Sequence, residues 1–164
     1  LKEYIQGHGS ELYRKSMYTF WKRSLPPPSM IIFDAATREQ CAVERQSTST
    51  PMQALVLLND PQFVEASRLI AQRMIFEGGA SAEDRIRFAF RLATSRAPGE
   101  KELRLLIDLL EDQQQVFRDQ PDRARSLLQI GEYQNQNQVD VIELAAYTVV
   151  ANTIMNLSET ILKG

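Results

Sequence analysis

The stretch Thr50-Pro51-Met52-Gln53-Ala54-Leu55-Val56-Leu57-Leu58-Asn59-Asp60-Pro61-Gln62-Phe63 carries two helix starts in close succession. Thr50 is an N-cap residue type whose hydroxyl accepts from an orphan amide of the first turn. Pro51 then falls at the first helical position, where its missing N–H leaves no bond unmade. Asn59-Asp60-Pro61 repeats the device, so one helix holds Met52 to Leu58 and a second follows at once. Behind it Phe63, Ala66, Ile70 and Met74 fall at helical spacing, and Gly78-Gly79 stops the element.

The same punctuation continues toward the C-terminus. Ser81 with Asp84 has capping-box spacing, and Ile86, Ala89, Phe90 and Ala93 make one apolar face behind it. Pro98-Gly99 separates that helix from a long amphipathic one carrying Leu103, Leu106, Ile107, Leu110 and Phe117. A shorter helix is predicted from Asp122 to Gln129, then a polar, mobile loop from Gly131 to Gln138. Asp140 and Glu143 open the most apolar helix of the chain. Its apolar residues lie on nearly every side, which predicts that it forms the centre of the bundle.

Toward the N-terminus the pattern weakens. Residues 1–10 read as a loose lead-in, and Glu11 to Arg23 fits a strand or a helix equally, because Met17, Tyr18, Phe20 and Trp21 are β-prone as well as apolar. Pro26-Pro27-Pro28 is expected to be extended in a polyproline conformation. Asp34 is then placed to cap a turn or helix over Thr37 to Val43. The expected fold is all-α: an irregular bundle of about five to six helices with an extended, proline-rich N-terminal segment, forming a single domain over residues 1–164.

Composition narrows the function classes. With 164 residues and 43% apolar content the chain can bury a substantial core. Nineteen basic against 21 acidic residues give a net charge of −2, so the basic excess of a nucleic-acid domain is missing. The longest apolar stretch, Val141 to Leu157, is interrupted by Glu143, Asn152 and Asn156, which disfavours a membrane span. One Cys and one His rule out a Cys/His zinc cluster and a c-type haem attachment site, so no metal or cofactor is expected in this chain. A start at Leu1 rather than Met leads to the expectation that the chain is part of a larger protein.

Unusual residues concentrate between Arg14 and Arg45. Arg14, Lys15, Lys22 and Arg23 surround Tyr13, Tyr18, Phe20 and Trp21, an arrangement that can hold phosphates while rings stack. It equally describes an inward-packing segment rimmed by cations, which is the commoner case. Asp34 and Arg38 are four apart and would pair along a helix, or else converge on a polar ligand. The candidate binding residues are therefore Arg14, Trp21, Lys22, Arg23, Asp34 and Arg38. Cys41 lacks any histidine in predictable reach and reads as inert. No phosphate loop, zincin pattern or nucleophile elbow is present, so catalysis by the isolated domain is not expected and no catalytic residue is assigned.

Arg14 to Arg23, Pro26-Pro27-Pro28-Ser29-Met30, Phe33-Asp34, Thr50 to Leu55 and Leu57 to Phe63 together resemble the planctomycete-type domain of unknown function 1553, the PSD-one domain. Phe90-Arg91-Leu92-Ala93, Arg96-Ala97-Pro98 and Leu157 continue the likeness. Val43-Glu44-Arg45-Gln46 stands where a run of arginines is common in that family, and Tyr147 where a tryptophan is usual. The resemblance implies the C-terminal region of a large exported bacterial protein with a periplasmic or extracytoplasmic setting. It also implies haem c elsewhere in the parent, and assigns no residue a role. The expected function is a non-enzymatic interaction or scaffold module whose partners are neighbouring domains of the parent or another protein. The competing expectation is an accessory part of a redox or glycan-related extracytoplasmic enzyme, with Asp34 and Arg38 lending polar groups to a shared pocket.

Overall fold

A computed structural model describes residues 5, 7–13, 16–22, 24–36, 48–133 and 139–161. Among them every regular element is helical, apart from one isolated bridge between Lys22 and Leu25. Eight α-helices are described: α1 (Pro28–Ile32), α2 (Pro51–Asn59), α3 (Pro61–Glu77), α4 (Ala82–Thr94), α5 (Glu100–Asp119), α6 (Pro121–Leu128), α7 (Val141–Met155) and α8 (Ser158–Ile161). The all-α expectation holds, with short α1 and α8 additional to the helices read from the sequence. Contacts divide the chain into two compact units, Leu1–Val56 and Leu57–Gly164.

In the first unit, Gly9–Glu11 and Ser16–Tyr18 form 3-10 turns, and the described residues between Glu11 and Lys22 form neither a strand nor an α-helix. Pro27 is extended and buried, but Pro28 is the first residue of α1. The triple proline is thus only partly extended. Pro28 brings a preset φ and needs no amide partner at a helix start, which favours the helical position over a polyproline one. Helix α1 ends where Asp34 takes φ +55, a left-handed value that a short polar side chain tolerates better than most.

The second unit is built around α7, which packs on α3, α4, α5 and α6. Leu144 to Thr148, Val150 to Asn152 and Ile154 are buried, so the expected central helix is the central helix. Its two threonines are accommodated because Thr148 Oγ1 donates to the Leu144 carbonyl at 2.7 Å and Thr153 Oγ1 to that of Val149 at 2.9 Å. Ile86, Ala89 and Phe90 of α4 and Leu103, Leu106, Leu110 and Phe117 of α5 line the same core. Each Ile, Leu and Phe of this set contributes about 1.5–3 kcal/mol on burial. The caps are as read: Asp60 accepts from the Gln62 amide, Ser81 from that of Asp84, and Asp140 from those of Ile142 and Glu143.

Helix α3 differs. Of the expected stripe only Met74 is fully buried, while Phe63, Ala66 and Ile70 are half-exposed. The inward face is instead Val64, Glu65, Ser67, Arg68, Ala71, Gln72 and Met74. It carries a carboxylate and a guanidinium because both hold backbone. Arg68 donates to the carbonyls of Leu128, Ile130 (2.9 Å) and Tyr133 (2.6 Å), and Glu65 Oε2 accepts from the amides of Glu132 and Tyr133 (2.9 Å). Residues 131–133, expected in a mobile loop, are therefore pinned; residues 134–138 of that loop lie outside the described ones.

Candidate functional site

The polar centre of the first unit forms where the turn after α1 meets the start of α2. Thr50 and Gln53 close a reciprocal cap: the Gln53 amide donates to Thr50 Oγ1 at 3.3 Å, and the Thr50 amide to Gln53 Oε1 at 3.0 Å. Gln53 is buried, and its Nε2 donates to the Ile32 carbonyl at 2.8 Å, to Thr48 Oγ1 at 3.2 Å and to Asp34 Oδ2 at 3.3 Å. Thr48 completes the set, its amide 2.8 Å and its hydroxyl 2.6 Å from the same Asp34 oxygen.

One carboxylate oxygen thus collects three donors, and the Thr48 hydroxyl bond is the largest influence holding Asp34 below its ordinary value of 3.8. A general base working near neutral pH needs a value raised toward that pH. Asp34 is shifted the other way, so the geometry makes it a fastener for the turn. Arg38, its expected partner, lies outside the described residues, as do Arg14, Arg23 and Cys41. Trp21 and Lys22 are half-buried, and both engage neighbours. No convergence of the six candidate residues is therefore described. Gln53 was missed, although Thr-x-x-Gln is capping-box spacing and was legible.

The first unit also presents apolar side chains to solvent. Phe20 is 79% exposed, Met17 70% and Tyr18 66%, while Tyr13 and Ile31 are half-exposed or more. On α2, Met52 and Leu55 are exposed, and Leu58, three residues on and already in the second unit, is exposed too. Scattered apolar residues need no explanation, but consecutive ones on short turns and along one helix face do.

In the second unit, a surface cleft of about 350 Å³ is lined by Gln114, Arg118, Asp140, Ile142 and Glu143. Glu143 is already paired with Arg85 at 2.7 Å, and Arg85 lies over the Tyr147 ring. Arg96 grips Glu102 of α5 at 2.7 Å and Glu159 of α8 at 2.8 Å while covering Phe90. These charges close the bundle's edges. No described helix is long and apolar enough to cross a membrane.

A family model described as "Protein of unknown function (DUF1553)" matches residues 1–110. The likeness noted at Leu157 and the departure noted at Tyr147 both fall beyond the matched residues. No curated protein and no solved structure matches the chain.

Proposed function

The chain belongs to the DUF1553 family, and from that membership we propose that it is a non-enzymatic interaction module whose exposed apolar side chains dock on neighbouring domains of a longer exported bacterial protein. The observation that carries this is the exposure of Met17, Tyr18 and Phe20 in one short run. Large rings and thioethers left in water are worth burying against a partner, and such side chains are enriched where proteins meet. The polar node of the first unit supports the same role. Asp34, Thr48 and Gln53 tie the end of α1 to the start of α2, so Ile31 on α1 and Met52 and Leu55 on α2 are displayed from a braced backbone rather than a loose one.

The runner-up is an accessory part of an extracytoplasmic enzyme, with Asp34 serving a shared pocket. The three donors already on its oxygen weigh against that. The setting we propose is periplasmic or otherwise extracytoplasmic, with any haem c carried elsewhere in the parent. Hydroxyl-radical footprinting of the full-length parent tests the docking. Tyr18 and Phe20 should label far more slowly than their exposure here implies, and Phe20→Ser should restore labelling of Tyr18. Labelling of both rings in the intact parent at the rate of fully exposed side chains would overturn the proposal.

A further inference from the structure

The five methionines of the chain sit in three environments. Met74 is 0% exposed in the core of the second unit, Met30 and Met155 are half-buried, and Met17 and Met52 are 70% and 55% exposed. Each exposed thioether falls within an exposed apolar run: Met17 stands beside Tyr18 and close to Phe20, and Met52 lies on α2 with Leu55. A thioether in such a place is apolar and adaptable when reduced. It is also open to oxidants that cannot reach a core sulfur.

We infer that Met17 and Met52 are sites of reversible oxidation by peroxides whenever the exposed apolar runs they belong to are undocked, and that their sulfoxides then keep those runs from docking. The functional consequence rests on the docking proposed above; the modification itself does not. With hydrogen peroxide, the sulfur lone pair attacks one peroxide oxygen, so an S–O bond forms as the O–O bond breaks. The sulfur loses two electrons, the peroxide is reduced, and the proton on the transferred oxygen passes to the departing hydroxide to give water. The product is a polar, chiral group with a strong acceptor oxygen, whose burial against an apolar partner requires a hydrogen bond that partner does not offer.

The test exposes the full chain to limiting hydrogen peroxide and follows each methionine by peptide mass mapping. Met17 and Met52 should gain one oxygen about tenfold or more faster than Met74, because access governs the reaction. Retention on a phenyl-derivatised resin should fall on oxidation and return after treatment with methionine sulfoxide reductases. In a Met17→Leu, Met52→Leu variant, retention should be unchanged by peroxide, since leucine keeps the surface apolar and has no sulfur. Oxidation of Met74 as fast as Met17 and Met52, or an equal loss of retention in the double variant, would overturn the inference. Either result leaves the docking test on Tyr18 and Phe20 standing on its own.

Discussion

Gly131 is the position at which a single methyl group should do most damage. Its φ is +94, and a Cβ built there would lie 2.8 Å from Glu65 Cβ and overlap the Glu65 carboxylate. That carboxylate is the acceptor for the Glu132 and Tyr133 amides, and Glu65 and Arg68 are 2% and 1% exposed. Gly131→Ala therefore adds a left-handed strain of about 1–2 kcal/mol. It also pushes a buried carboxylate off its donors and away from Arg68, a disruption costing about 3–5 kcal/mol when one partner is lost outright. Some relaxation of the 131–133 turn is expected, so the sum should fall near 3–5 kcal/mol, or roughly 6–20 °C in melting temperature at about 2–4 °C per kcal/mol. Gly79→Ala is the matched control. Gly79 has φ +101 in the same unit, but its Cβ would meet only the exposed Asp84 side chain, at 3.1 Å. Thermal and denaturant unfolding of both variants decides the matter. If Gly131→Ala loses no more than Gly79→Ala, the Glu65–Arg68 clamp is not what holds the turn.

Two further outcomes follow from the charged groups. Asp34 is held below 3.8, so its bonds to Thr48 should persist through neutral pH and weaken only in acid. The Thr48 amide resonance should titrate with a midpoint below 3.8, and Asp34→Asn should abolish that titration. Glu102 is lowered from 4.5 to about 2, first by its bonds to Arg96 and then by the Gly99 amide. Since its folded value is the lower one, its contribution is present above about 4.5 and fades as pH falls toward 2. The Glu102 side chain is 41% exposed, so solvent and salt reduce the effect. Glu102→Gln should flatten the acid limb of a stability-versus-pH curve slightly while leaving its neutral limb parallel to the wild type.

Most helix starts were legible because the signals are local. Thr50, Asp60, Ser81 and Asp140 each satisfy an amide two or three residues ahead, so spacing alone suffices. The inward face of α3 was not legible. Periodicity assigns apolar side chains inward, whereas Glu65 and Arg68 are buried by a segment some sixty positions later, which no local window sees. The Asp34 contacts to Thr48 and Gln53 escaped for the same reason, fourteen and nineteen positions away. Before the prolines, Ser16–Tyr18 is a single 3-10 turn without a repeating face, so alternation and helical spacing had nothing to register.

The position of α7 bears on where the protein can be cut. The family match ends at residue 110, part-way along α5, while Leu144, Ala145, Tyr147, Val150, Ala151 and Ile154 complete the cluster that Ala71, Met74, Ile86, Phe90, Leu103 and Leu106 begin. A fragment trimmed to the matched span would keep the family signature and lose the helix its own core closes on. The boundary drawn by family likeness and the boundary of the cooperative folding unit are therefore different lines. Truncations and expression designs of this chain should follow the second, carrying it through Met155 at least.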